Sequence, residues 1–296
     1  MFKFLSILSI LTIFISLILA CKERQIINMP IAADYEFARV AEKKDLKVGV
    51  VPGPYGDMFM EAIMPSLMKS GYTASLVLYD DFINPNIALG QKEIDLNIFQ
   101  HYAYLNSFKF ENDLALSAIS EIPTISMGIY SRRYRSVNEI GTGIIVSIPN
   151  DSTNLARALQ VLESADIIVL NPFIDKSKAT LDDIISNPRG IRLSLIDAHR
   201  LVDTLGSYDI SVINGNFAMS YGLKPSEALY NEILAENYIN VIAVRTEDLS
   251  SQFVRDIIEV LHSYDYKKVI INPDGKYADF QYPRSFTDRL KIMQVN

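Results

Sequence analysis

The chain has 296 residues, with 28 Lys and Arg against 35 Asp and Glu, and its net charge of −7 argues against a nucleic-acid surface, which needs a basic stripe. Its length suits one large or two medium domains with an ample core. One cysteine, Cys21, excludes disulfides within the chain, and His101, His199 and His262 have no metal-ligating spacing. No Gly-x-Ser-x-Gly, Walker loop, His-Glu-x-x-His or Cys-x-x-Cys occurs, so nothing in the sequence calls for a catalyst or a cofactor.

In chain order, Lys3, the apolar run Phe4–Leu19 and the small Ala20 read as a signal peptide over residues 1–20. The run is too short and too unevenly flanked for a membrane span. Ile18-Leu19-Ala20-Cys21 resembles the lipobox of bacterial lipoproteins, which implies cleavage before Cys21 and its modification with acyl chains such as palmitate. An ordinary secretory signal with a chance cysteine is the weaker reading, because a lone unpaired thiol in an exported protein needs some explanation. Residues 21–45 mix charges with scattered apolar groups and are expected to form the lipidated N-terminus and a tether.

The body opens on a strand, Leu46–Val51, and a Pro- and Gly-rich loop, Pro52–Gly56, ahead of a helix carrying Phe59, Ile63 and Leu67. A second strand, Ser75–Tyr79, leads through Asp80–Asn86 into a helix with Ala88 and Leu89; a third, around Leu96–Ile98, runs into Phe99-Gln100-His101-Tyr102-Ala103-Tyr104-Leu105. Three such units predict a parallel sheet with ligands at the carboxyl ends of its strands. A strand over Ile125–Ser131 and a basic solvated turn, Arg132–Arg135, follow. A second α/β series then begins with Ile144–Ile148 and the loop Pro149-Asn150-Asp151-Ser152. The next helix has Leu155, Leu159 and Leu162 on one face; Asp151 and Ser152 are cap-forming types, and Arg157 stands three residues after Asn154, on the same face. The planar fork of an arginine beside a helix start suits a carboxylate. Further expectations are a strand near Ile191–Leu195, a helix around Ala198–Leu205, a strand Ile210–Ile213 running into Asn214-Gly215-Asn216-Phe217-Ala218, a strand Asn240–Arg245, and a helix carrying Phe253, Ile257, Ile258 and Leu261. The tail after Tyr266 shows little periodicity.

The stretches Val48–Pro54, Asn84-Pro85-Asn86, Phe99-Gln100-His101 with Tyr104-Leu105, Met127–Ser131, Ile148–Arg157 and Ile213–Ala218 together resemble the NlpA/MetQ family of substrate-binding lipoproteins, in the right order from about Leu46 to about Val269. The resemblance implies an α/β, two-lobed periplasmic-binding-protein fold of type II-like form with two hinge crossovers. Lobe 1 would comprise residues 46–128 and 241–296, and lobe 2 residues 129–240. It further implies a monomer, lipid-anchored on the outer side of a cell membrane or outer membrane, that captures L-methionine or a similar amino acid for an ABC importer's permease and ATPase. Carried over by position, Arg157 would take the ligand carboxylate, and Asn154, Asn214 and the nearby Asn216 would hold its carboxylate or amino group. Phe99, His101 and Tyr104 would line the side-chain pocket, with Phe82 beside them where the family usually has Tyr. The family also usually reads His-x-Glu-Pro before Met-Gly, where this chain has Pro123, Ile125 and Ser126. These departures predict a pocket less polar than is usual. A second reading is a surface lipoprotein whose cleft has altered and which serves adhesion or antigenic display.

Overall fold

The structure is a computed structural model that describes residues 43–286; the leader, Cys21 and the rest of the tether before residue 43 lie outside the described residues. The strands are β1 (Asp45–Val50), β2 (Thr73–Leu78), β3 (Leu96–His101), β4 (Leu116–Ile122), β5 (Gly128–Tyr130), β6 (Ile145–Pro149), β7 (Val169–Leu170), β8 (Ile184–Ser186), β9 (Arg192–Ile196), β10 (Ile210–Ile213), β11 (Tyr230–Asn231) and β12 (Asn240–Arg245). The helices are α1 (Tyr55–Met58), joined through a π-helical turn, Phe59–Ile63, to α2 (Met64–Lys69), then α3 (Asn84–Gly90), α4 (Tyr102–Glu111), α5 (Ser152–Ser164), α6 (Gly215–Ser220), α7 (Gln252–His262) and α8 (Tyr264–Ile270).

Two five-stranded sheets organise the fold, in the orders β2-β1-β3-β12-β4 and β11-β5-β10-β6-β9. In the first, β1 pairs in parallel with β2 and β3, as the strand–loop–helix units predict, but β12 runs antiparallel to both β3 and β4, so the sheet is mixed. In the second, β6 pairs in parallel with β9 and β10, while β5 is antiparallel to β10 and β11 to β5. The chain passes from the first sheet to the second between Ile122 and Gly128 and returns between Asn231 and Asn240. β3, β10 and β12 are buried along their whole length, which explains why their apolar residues do not alternate with exposed polar ones. Val146, Ile148, Leu159, Leu162 and Val212 belong to the core of the second sheet, and Leu89, Ile94, Leu105, Leu116 and Val241 to that of the first.

Three local expectations change. The strand expected over Ile125–Ser131 is confined to Gly128–Tyr130, and the helix expected around Ala198–Leu205 is instead two separate 3-10 turns, Ala198–Arg200 and Leu205–Ser207. The chain beyond Tyr266, where periodicity is weak, is pinned by single buried aromatics, Tyr277, Phe280 and Phe286. Gln281 makes a two-way backbone bridge to Thr124 (2.9 Å each way). Its side chain donates to Ser126 Oγ (2.5 Å) and to the Glu232 carbonyl (2.9 Å) and accepts from the Leu234 N–H (2.9 Å). One glutamine of the tail thus ties the outgoing crossover to the returning one.

Candidate functional site

All eight sequence-expected ligand residues, Phe82, Phe99, His101, Tyr104, Asn154, Arg157, Asn214 and Asn216, line a single pocket. Tyr55, Gln100, Ile125, Gly215 and Asn240 line it as well. The pocket draws on both sheets: β3 and the start of α4 supply Phe99, His101 and Tyr104, whereas α5 and the segment after β10 supply Asn154, Arg157, Asn214 and Asn216.

His101 ends β3 and caps α4, its Nδ1 accepting the Tyr104 N–H at 3.1 Å. An accepting Nδ1 carries no proton, so the neutral ring holds its proton on Nε2, which donates to Asn154 Oδ1 at 3.3 Å. Burial, with the Arg157 charge second, lowers the imidazole pKa to about 3, which keeps the ring neutral. Asn154 is oriented from its other end, where Nδ2 donates to both carboxylate oxygens of Asp151 (2.9 and 3.1 Å). Asp151 also caps α5 by accepting the Asn154 N–H at 2.9 Å, and burial raises its pKa. With its amide so fixed, Asn154 Oδ1 faces the pocket and accepts a second bond, from Asn214 Nδ2 at 2.7 Å. The chain of contacts ends at Asn214 Oδ1, an acceptor buried in a residue only 4% exposed that has no hydrogen-bond partner among the described residues. A buried acceptor left open costs about 1–3 kcal/mol, so the site is short of one N–H donor.

Arg157 is 4% exposed and is itself held by protein. Its Nε donates to both oxygens of Glu232 (2.9 Å each), its Nη2 donates to Oε1, and its guanidinium carbon lies 5.2 Å from the centre of the Tyr238 ring. The Tyr238 hydroxyl accepts from Gln160 Nε2 at 2.8 Å, which fixes that ring in turn. Nη1 takes no part in the pair with Glu232.

The other wall is aromatic. Phe82 stacks on Phe99 (centroids 5.8 Å apart, planes at 22°) and on Phe217 (4.9 Å, 28°), so it is sandwiched between a ring beside the first sheet and a ring beside the second. Tyr104 meets Phe82 and Phe99 edge-on at 5.8 and 6.4 Å. Behind Phe99, Asn86, Asn97 and Gln100 satisfy one another, with Asn86 Nδ2 donating to Gln100 Oε1 (2.8 Å) and Gln100 Nε2 to Asn86 Oδ1 (2.7 Å). This network lets a wholly buried strand carry amides at its cleft end.

Two glycines permit close approach at the mouth. Gly53 has φ +134°, and a Cβ there would sit 2.8 Å from the Asn216 carbonyl oxygen; Asn216 Nδ2 in turn donates to the Pro52 carbonyl (3.2 Å). A Cβ on Gly215 would lie 2.3 Å from the Ser126 carbonyl oxygen. Among the described residues no cluster of His, Cys, Asp and Glu could hold a metal ion. Sequence reasoning overlooked Glu232, Tyr238 and Tyr55. Glu232 follows a strand of two residues and meets Arg157 across 75 positions, so no local spacing announces it.

A mixed α/β frame of two sheets, with a pocket that combines arginine, amides and stacked rings, defines a small-molecule binding protein. The chain belongs to the NlpA lipoprotein family, whose model matches residues 46–283. It is 36% identical to outer membrane lipoprotein 3 of Mannheimia haemolytica, over 74% of this chain and 82% of that one. It is 32% identical to the methionine-binding lipoprotein MetQ of Bacillus subtilis, over 77% and 85% respectively. A nutrient binding protein from Burkholderia cenocepacia, solved bound to methionine, superposes with a TM-score of 0.72 at 30% identity, covering 77% of this chain and 95% of its own.

Proposed function

We propose that this protein is an extracytoplasmic solute-binding lipoprotein, anchored through Cys21, that captures methionine or a similarly sized apolar amino acid and delivers it to an ABC importer. The observation that carries the reading is the pairing, in one pocket, of a buried arginine with an open N–H acceptor at Asn214 Oδ1, facing a wall of stacked aromatics. A free amino acid supplies what each needs: a carboxylate for the outer edge of Arg157, an ammonium for Asn214 Oδ1, and an apolar side chain for Phe82, Phe99 and Tyr104. A thioether is well matched to ring edges. Relatives named as methionine-binding lipoproteins and a methionine-bound structural neighbour support the same class of ligand.

In this reading residues 46–128 with 241–296 and residues 129–240 act as two lobes, and the crossovers braced by Gln281 form the hinge. Closure on the ligand brings the two walls onto one molecule. The test is mass spectrometry of small molecules released from the purified, denatured protein, followed by binding of whatever is found. An amino acid with free amino and carboxyl groups, in about one-to-one amount, is the expected result. A ligand without a carboxylate, or no ligand and no binding of any amino acid, contradicts the reading and favours the altered-cleft alternative.

A further inference from the structure

Arg157 is a deeply buried cation, yet its charge is met by a protein carboxylate rather than left for a ligand. Glu232, 8% exposed, engages its Nε and Nη2, so that the pair is neutral as a unit. Among the described residues that line the pocket, Arg157 is the one cation. His101 is neutral, the phenols of Tyr55 and Tyr238 are driven further from ionisation by burial, and Asp151 is turned into the start of α5, where three donors from Thr153 and Asn154 meet it. The main chain at Glu232 is also held in place. Its N–H donates to the Met127 carbonyl (3.0 Å), its own carbonyl accepts from Gln281, and Leu234 is tied to the same glutamine. The residue is therefore brought to Arg157 by a backbone tied to both crossovers.

Resting on the proposed function above, we infer that Glu232 is the residue that sets the charge class of the ligand: by neutralising Arg157 it makes the pocket one that accepts a net-neutral zwitterion and rejects the same molecule bearing a net charge. Without Glu232, a buried arginine facing an amide would demand an anion, and the ligand's own carboxylate would be its sole counter-charge. With Glu232, the guanidinium needs no further charge. The ligand's carboxylate meets the Nη1 edge by hydrogen bonding, and its negative charge must be balanced within the ligand, by the ammonium at Asn214 Oδ1. An N-acylated amino acid brings an uncompensated negative charge beside Glu232. A C-terminal amide brings an uncompensated positive one beside Arg157. Both violate the rule that buried charges are paired. Glu232 acts here as a positioning residue, since it does not itself line the pocket.

Calorimetry with three probes of one side chain tests this: L-methionine, N-acetyl-L-methionine and L-methionine amide, titrated into the wild type, Glu232→Gln and Glu232→Asp. The wild type is expected to prefer methionine over both charged probes by about a hundredfold or more. Glu232→Gln, which keeps an acceptor but loses the charge, should shrink the preference over N-acetyl-methionine by roughly tenfold and enlarge the preference over the amide. Glu232→Asp should restore both ratios to within about threefold of the wild type. An equal loss for all three probes in Glu232→Gln overturns the inference, because a merely structural role weakens every ligand alike. If that variant does not fold, the wild type still decides: N-acetyl-methionine binding as tightly as methionine contradicts the charge rule. Absence of binding by every probe to the wild type is a different result, which overturns the proposed function itself and this inference with it.

Discussion

The two walls of the pocket follow opposite rules. On the polar wall, Asp151, Asn154 and Asn214, joined by His101 from the end of β3, form a chain of directional bonds in which each donor and acceptor is assigned, up to the single open oxygen of Asn214. On the aromatic wall, Phe82, Phe99 and Tyr104, with Phe217 from α6, meet through ring faces and edges. Directional bonds tolerate little displacement, whereas stacked rings shift at small cost. In the proposed function, recognition is therefore strict for the parts all amino acids share and permissive for the side chain.

Breaking the polar wall should therefore have the largest effect. Arg157→Ala removes the carboxylate partner and strands Glu232 in a buried site, so it is expected to abolish amino-acid binding, a loss of over about a hundredfold, and to cost on the order of 3 kcal/mol of stability. Calorimetry and urea denaturation read the two effects. Adding Glu232→Gln to Arg157→Ala should recover part of the stability and none of the binding.

The same wall should make stability depend on pH. His101 has its pKa lowered from 6.5 to about 3, by burial first and the Arg157 charge second, so between these values the unfolded chain binds a proton that the folded chain refuses. Stability should fall as pH drops through that window, by at most ~1.4 kcal/mol per pH unit from this group. The range from pH 6.5 down to 5 separates it from the carboxylates, and denaturation midpoints there should flatten in His101→Gln. An unchanged slope would mean that other groups carry the dependence.

The aromatic wall should give the smallest effect. Phe82→Leu keeps an apolar group but loses the two stacked contacts, and should weaken methionine and leucine by similar factors of about tenfold or less. A change confined to one ligand would show that Phe82 selects the side chain rather than sealing the cleft.

Much of this site is readable in the sequence because its parts are local. The cap at Asp151 and the spacing from Asn154 to Arg157 sit within seven residues, and a buried strand runs directly into His101. What escaped is non-local or out of phase. Glu232, Tyr238 and Gln281 act through contacts that only the crossovers bring about. β4 is hidden for a different reason: Leu116, Ile119 and Ile122 are buried at intervals of three, because the register shifts opposite Ile242 and Ala243, and the alternation that marks a strand is broken there. The tail lacks periodicity because its aromatics anchor one at a time. The antiparallel entry of β12 into the first sheet leaves no mark on a strand that is buried on both faces.

The most direct measurement is a crystal structure of the protein with L-methionine bound. The ligand's ammonium nitrogen is expected about 3 Å from Asn214 Oδ1, its carboxylate on the Nη1 edge of Arg157 with the Glu232 pair intact, and its thioether against Phe82, Phe99 and Tyr104. A ligand carboxylate that displaces Glu232 from Arg157, or an Asn214 oxygen that still has no partner in the complex, would contradict this arrangement.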